Sequence, residues 1–147
     1  MDVQIRKIAW GAPKNIIAYH STKIGGWSSG AFEFSNMSLD VGDNPKDVIK
    51  NRDSMAKQLN LNTKPVFMKQ IHSATVRVAK SPSDNLVCDS CYTSVRGLPL
   101  AVLSADCLPI IIASNNGDKI GVIHAGWRGL ASGIIQKFLQ RFARNPK

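Results

Sequence analysis

The clearest hydrophobic pattern along the chain is a pair of short apolar runs in its C-terminal third. The runs Leu108–Ala113 and Ile120–Ile123 are rich in Ile and Val, and an Asn-Asn-Gly-Asp segment at 115–118 separates them. Two such runs around an Asn-Gly turn predict buried strands joined as a β-hairpin. Cys107 precedes the first run and His124 follows the second. Antiparallel pairing should therefore bring the thiol and the imidazole to the same end of the hairpin.

A first helix is predicted where Asn44 precedes Pro45. Asn is a favoured N-cap residue and Pro suits the first helical position, so the helix should begin here and run to about Leu59. Arg52 falls in the middle of the apolar face, where a long cation either reaches solvent and pairs with a carboxylate or points into a functional cleft. The apolar face is otherwise formed by Val48, Met55 and Leu59, with Ile49 and Ala56 at one side.

A second helix is predicted shortly after His124. Its start would offer free backbone N–H groups to an anion, and Arg128 adds a planar cation that suits phosphate or carboxylate. Apolar residues at spacings of three and four define one helix face. They are Leu130, Ile134, Ile135, Phe138, Leu139 and Phe142.

Short strand-like runs dominate the stretch from Val66 to Leu103, between the two predicted helices. The pattern predicts a mixed α+β fold with about six to eight strands and two helices. The length of 147 residues fits one domain that can bury a core, and no repeat or linker divides residues 1–147.

Composition is that of an ordinary globular protein, with 44% hydrophobic and 20% charged residues. No apolar run approaches the roughly 20 residues that a membrane span needs. The N-terminal residues lack a secretory pattern and the three cysteines are an odd number, which together favour reduced thiols in the cytoplasm. The net charge of +9 is scattered along the chain. It fits a basic surface or an anionic small substrate, and it disfavours nucleic-acid binding.

Cysteine and histidine supply the candidate chemistry. Cys88 and Cys91 form a single C-x-x-C in a strand-like run, where we expect two core residues on opposite faces. The histidines are His20, His72 and His124. One cysteine with two histidines would leave zinc an open position for catalysis, and copper accepts the same donors. The same thiol and imidazole could instead form an activated cysteine nucleophile.

Three sequence blocks carry a family resemblance. They are residues 69–72 (Lys-Gln-Ile-His), 104–109 (Ser-Ala-Asp-Cys-Leu-Pro) and 124–129 (His-Ala-Gly-Trp-Arg-Gly). In order and approximate spacing they resemble the signature blocks of the laccase-domain family, also called the multicopper polyphenol oxidase or YfiH-like family. Partial matches occur at residues 21–26, Asn36, Gly42-Asp43, Asn51-Arg52 and Asp89.

The resemblance implies a layered α/β/β/α fold and a zinc site formed by His72, Cys107 and His124. It implies purine nucleoside phosphorylase activity, in which phosphate splits adenosine, inosine or methylthioadenosine, and adenosine deaminase activity in addition. Purine nucleoside and phosphate would then be the substrates. The residues assigned to substrate binding are Asn36, Arg52, Gln70 and Arg128.

Two alternatives remain open from the sequence. In the first, Cys107 is the nucleophile and His124 the base of a metal-free hydrolase or amidase. In the second, the chain is a non-catalytic remnant, because it lacks the C-terminal portion that members of the resembling family usually carry. In either case the resemblance implies that residues 1–147 are a single laccase-like domain that is C-terminally shortened.

Overall fold

The structure is a computed structural model that describes residues 1–83 and 85–144. The chain divides into two compact units, unit 1 (Met1–Lys64) and unit 2 (Pro65–Lys147). The prediction that residues 1–147 form one domain remains a prediction. Among the described residues, no helix is both long and apolar enough to cross a membrane.

Unit 1 combines a two-stranded sheet with one long helix. Strand β1 (Ile5–Lys7) pairs antiparallel with β2 (Tyr19–Ser21), and a short 3-10 turn covers Gly30–Phe32. Helix α1 (Pro45–Gln58) begins where it was expected, because the Asn44 side chain accepts a hydrogen bond from the Lys46 N–H and so caps the first turn.

The buried face of α1 differs from the predicted apolar face. Val48 is fully buried as expected, but Asn51 is also fully buried, and Ile49 is exposed. The hydrogen-bond donors of the Asn51 amide find partners inside unit 1, because Nδ2 donates to the Ser28 hydroxyl and to the Asn36 carbonyl. The predicted apolar stripe is therefore wrong in part: a polar residue takes a core position because its amide cross-links the preceding loops.

Unit 2 contains a four-stranded sheet in the order β4-β5-β8-β7. Its strands are β4 (Val76–Val78), β5 (Ser90–Thr93), β7 (Leu108–Ala113) and β8 (Ile120–Ala125). Strands β7 and β8 form the predicted antiparallel hairpin, and β8 also pairs antiparallel with β5. Strands β4 and β5 run parallel. A second, parallel pair is formed by β3 (Val66–Phe67) and β6 (Leu100–Ala101).

Two helices follow β8, where the apolar pattern predicts one. Helix α2 (Trp127–Ala131) ends before Gly133, which has a left-handed φ of 76°, and helix α3 (Ile134–Ala143) begins directly after it. Glycine adopts this conformation without the steric cost that a Cβ atom would impose. The prediction of a continuous helix is wrong for this reason. Leu130 and Leu139, expected on the apolar face, are exposed.

The sheet of unit 2 is covered on both faces. Helix α3 packs on one face, where Ile134, Phe138 and Phe142 contact Ile123 and Val76. On the other face, Val122 and Ile111 pack with Met68 and with Leu100 of the β3–β6 pair. Unit 2 is thus layered as helix, large sheet and small sheet. With α1, β1 and β2 in unit 1, the chain has the predicted α+β class.

The C-x-x-C pair is part of the second core. Cys88 and Cys91 are free, fully buried and members of the same hydrophobic cluster. Their expected role as core residues is confirmed, but their expected placement on opposite faces is wrong. Cys88 precedes β5, so the alternation of a strand does not apply to it. Burial raises the pKa of Cys88 to about 11 and that of Cys91 to about 12.

Candidate metal centre

Three side chains of unit 2 converge at one end of the hairpin. Cys107 immediately precedes β7, and His124 lies on β8 opposite Pro109, so the antiparallel register brings them together as predicted. His72 joins them from the turn between β3 and β4. One potential ligand atom of each residue lies within 4.8 Å of those of the other two. His72 is exposed, Cys107 is half-buried and His124 is buried.

The turn at His72 has an uncommon backbone. His72 has a φ of 60°, in the left-handed region that residues with a Cβ atom seldom adopt. This conformation costs about 1–2 kcal/mol, so neighbouring contacts must hold it. It directs the imidazole to the His124 ring, with ring centroids 4.9 Å apart and planes inclined by 74°.

The carboxylate of Asp89 holds both histidines. Asp89 is fully buried, and its Oδ1 lies 2.8 Å from the His72 backbone nitrogen and 2.8 Å from His124 Nδ1. Its Oδ2 accepts from the Ile71 N–H at 3.2 Å, the Ser73 N–H at 2.6 Å and the Ser73 hydroxyl at 2.8 Å. Burial opposes ionisation of Asp89, but the hydrogen bonds from His124, Ser73 and His72 outweigh it and hold its pKa below the ordinary value.

Cys107 lies in a loop whose preceding residues, Leu103 and Ser104, are held by hydrogen bonds. The Ser104 hydroxyl donates to the Cys107 carbonyl. Before that, the Gln70 amide donates to the Leu103 carbonyl and accepts from the Leu103 N–H, both at 2.8 Å. Desolvation, and then the neighbouring Asp106, raise the pKa of the Cys107 thiol above its ordinary value. A bound cation would have the opposite effect, because a metal ion stabilises the thiolate.

The segment after His124 lines the same site. A Cβ atom on Gly126 would lie 3.0 Å from Cys107 Sγ and 3.4 Å from His72 Cδ2, so this glycine packs directly against two of the candidate ligands. The next two residues are exposed on α2, where the Arg128 guanidinium carbon lies 4.5 Å from the ring centroid of Trp127. The ring thus supports the cation at the start of this helix.

Asn36 and Arg52 belong to unit 1. The Asn36 side chain donates to the Ser38 carbonyl and to Asp43, and accepts from the Ser38 N–H. Arg52 donates from Nε and Nη2 to the Met37 carbonyl at 2.8 and 2.6 Å. Desolvation lowers the pKa of Arg52, against the effect of the Asp40 charge. Both residues thus support the loop that precedes α1, and their role in substrate binding remains a prediction, as do those of Gln70 and Arg128.

His20 lies on β2 in unit 1, opposite Arg6 of β1. It does not belong to the cluster of possible metal ligands found in residues 1–83 and 85–144.

Two residues of the site are absent from the predicted set, Asp89 and Gly126. Asp89 has two signals in the sequence: it is one of the partial family matches, and it is an acidic residue inside an apolar, strand-like run, where a buried carboxylate requires strong partners. Gly126 lies in the family block at 124–129, but the sequence does not show the contacts that a side chain there would make.

The donor set fits a transition metal. Two imidazole nitrogens and a thiolate are typical ligands of zinc and also suit copper, with bonds of about 2.0–2.3 Å to a common ion. Ligand atoms within 4.8 Å of one another can approach such an ion together. His124 already has its second ring nitrogen bound to a carboxylate, which is the usual arrangement of a metal-ligating histidine.

Comparison with known proteins gives consistent results. The chain is 36% identical over 139 residues to the purine nucleoside phosphorylase YfiH of Escherichia coli and 35% identical over 138 residues to a purine nucleoside phosphorylase of Haemophilus influenzae. Each alignment covers 94% of this chain and 57% of the relative, so the chain spans little more than half the length of these proteins.

Solved structures show the same fold. A crystal structure of a Neisseria meningitidis protein matches with a TM-score of 0.86 at 33% identity, covering 95% of this chain and 57% of that one. YlmD from Geobacillus stearothermophilus matches with a TM-score of 0.74 at 35% identity, covering 86% and 52%. The sequence profile described as multi-copper polyphenol oxidoreductase laccase matches residues 17–147. The chain therefore belongs to this laccase-like family, as its three sequence blocks predicted.

Proposed function

We propose that this protein is a zinc-dependent purine nucleoside phosphorylase of the cytoplasm that also deaminates adenosine. The observation that carries the proposal is the convergence of His72, Cys107 and His124 in a chain whose relatives are named purine nucleoside phosphorylases. We further propose that residues 1–147, of which 94% align with those relatives, act as one laccase-like domain.

The proposed reaction breaks the bond between the purine and C1′ of the ribose. Phosphate forms the new bond to C1′, and the products are the free base and ribose 1-phosphate. A bound zinc ion would supply a Lewis acid that polarises an oxygen of the substrate. His72, Cys107 and His124 would hold the ion, and Arg128 is exposed and available to bind phosphate oxygens through its planar guanidinium. We assign the remaining substrate contacts to Asn36, Arg52 and Gln70.

The metal-free alternative has less support. A cysteine nucleophile is activated by a neighbouring general base, or by a cation or helix N-terminus that lowers the pKa of its thiol. The pKa of Cys107 is shifted in the opposite direction, and the charges that act on it, those of Asp106 and Asp89, are negative. The thiol is thus better suited to bind a cation than to attack a carbonyl group unaided.

The test is elemental analysis of the purified protein and of His72→Ala and Cys107→Ala variants, with turnover of inosine plus phosphate measured on the same samples. We expect about one zinc ion per chain in the wild type and a loss of more than about 100-fold in turnover in each variant. His20→Ala is the matched control, because it removes an imidazole outside the cluster. Release of ammonia from adenosine without phosphate tests the deaminase activity separately.

Full activity in Cys107→Ala would contradict the proposal. Copper in place of zinc would correct the identity of the ion. Zinc binding without turnover would contradict the enzymatic part and favour a non-catalytic chain.

A further inference from the structure

We propose that Asp89 is a positioning residue of the metal centre: it sets the tautomer of His124 and holds the turn that presents His72. This inference rests on the proposed metal centre. It concerns residues that are in place before any ion binds, so it can be tested apart from catalysis.

The first step concerns the proton on His124. An ionised carboxylate can only accept hydrogen bonds, so the 2.8 Å contact between Asp89 Oδ1 and His124 Nδ1 requires a proton on Nδ1. In the neutral ring, Nε2 then carries the lone pair. His124 is only 5% exposed, so water cannot readily replace Asp89 as the partner of Nδ1. The carboxylate thereby leaves Nε2 as the nitrogen of this ring that can bind a cation.

The second step concerns the turn at His72. The backbone N–H groups of Ile71, His72 and Ser73 all donate to the Asp89 carboxylate, and the Ser73 hydroxyl adds a fourth bond. Consecutive N–H groups that point to one anion form a concave anion-binding turn, which needs a residue in the left-handed conformation. His72 is that residue, with a φ of 60°. The bonds to Asp89 offset the cost of this conformation and place the ring beside His124.

The third step concerns charge. A fully buried carboxylate is expensive to desolvate, and a neutral amide could support a turn at a lower cost. The negative charge becomes useful if a divalent cation lies beside it, because one thiolate neutralises only half of that cation. A carboxylate that binds the outer nitrogen of a ligating imidazole also makes the imidazole a more basic ligand. The charge of Asp89 thus matches the proposed ion better than it matches a purely structural turn.

Asp89→Asn removes the charge and the oxygen that accepts from both histidines. Asn has one acceptor oxygen and one NH₂ group, and the side of the carboxylate that faces Ile71 and Ser73 meets three donors. The amide oxygen should therefore remain on that side, which directs the NH₂ group at His124 Nδ1 and at the His72 N–H, so the hydrogen bond from the His72 backbone is lost as well. Nδ1 must then accept, the proton moves to Nε2, and the lone pair that would bind the ion is lost.

The experiment has two readouts. In metal-free wild type at alkaline pH, ¹⁵N spectra of labelled histidine should show a neutral His124 ring with its proton on Nδ1. Zinc affinity, measured by competition with a chromophoric chelator, should fall about 10- to 100-fold in Asp89→Asn. Asp118→Asn is the matched control, because it removes an exposed carboxylate from the turn at the other end of the β7–β8 hairpin, and it should bind zinc like the wild type.

The outcomes distinguish the two proposals. A wild-type protein that binds no metal would overturn the metal centre and the proposed function. A wild type that binds zinc while Asp89→Asn binds it equally well would overturn the role of Asp89. A wild-type His124 protonated on Nε2 would also overturn it, and this measurement decides the question even if Asp89→Asn does not fold.

Discussion

Gly126 shows how closely single residues are fitted around the candidate ligands. Its φ of −74° is open to any residue, so backbone conformation does not require a glycine here. A glycine is required here because there is no space for a side chain: a Cβ atom would lie 3.0 Å from Cys107 Sγ. Asp89 acts at the same scale from the other side, through hydrogen bonds to His124 and to the turn at His72.

Gly126→Ala should weaken zinc binding about tenfold, because the new methyl group pushes the Cys107 sulfur and the His72 ring away from a common ion. Zinc affinity measured by chelator competition checks this. The thermal midpoint of the metal-free protein should change by no more than a few degrees, since the backbone accepts alanine. Gly11→Ala is the control, because a Cβ atom there would contact nothing within 4 Å. Equal affinity in all three proteins would contradict the prediction.

Helix α3 supports the site at the scale of elements. It lies against the sheet face opposite the β3–β6 pair and contacts β8, the strand that carries His124. Phe138 is at the centre of this contact: it is fully buried, stacks on Phe142 at 5.2 Å and meets Tyr92 edge-on at 6.1 Å. A Cβ atom on Gly121 would lie 2.3 Å from the Phe138 ring, so β8 approaches the helix closely at this point.

Phe138→Ala should lower the free energy of unfolding by about 3–5 kcal/mol, because it leaves a cavity between the helix and the sheet. Urea denaturation of the metal-free protein checks this. Leu139→Ala removes a side chain of similar chemistry from the next position of α3, where it is 46% exposed, and should cost less than about 1 kcal/mol. Similar losses in the two variants would contradict the placement of α3.

At the scale of the molecule, the three ligands come from distant positions in the sequence. His72 lies in the turn before β4, whereas Cys107 and His124 belong to the hairpin. A bound ion would therefore add a connection between two parts of unit 2 that the sheet, Asp89 and the hydrogen bonds between Gln70 and Leu103 also join. Because the unfolded chain does not bring these residues together, binding should stabilise the folded state.

Zinc at about 100 times its dissociation constant should stabilise the protein by about 2.7 kcal/mol and raise its thermal midpoint by about 10 °C. Calorimetry with zinc, and again after a chelator is added, checks this shift and its reversal. Cys107→Ala should show little response to zinc. A midpoint that does not depend on zinc in the wild type would show that the ion does not bind the folded protein preferentially.

Local chemistry was sufficient to predict several elements. The β7–β8 hairpin follows from two apolar runs and an Asn-Gly turn, and the start of α1 follows from Asn44 beside Pro45. Both depend on residues that are close in sequence. The convergence of Cys107 and His124 could be predicted for the same reason, since a hairpin of known register fixes which of its residues meet.

Other features depend on packing. An apolar periodicity continues through Gly133, so only the structure shows that this glycine divides the helical segment into two helices. The apolar face of α1 appears in the sequence without Asn51, which is buried because loops that precede the helix bring partners to its amide. Hydropathy records the polarity of a side chain and not the hydrogen-bond partners that the fold supplies.

The sequence by itself determined the class of the fold, the family and, through the family blocks, the candidate ligands His72, Cys107 and His124. The tertiary structure alone decided what holds them. Asp89 bonds to residues 17 and 35 positions away, and the nearer of the two is His72, whose backbone is left-handed. Sequence patterns report contacts between neighbours along the chain, whereas these contacts exist only after strands from distant positions have packed together.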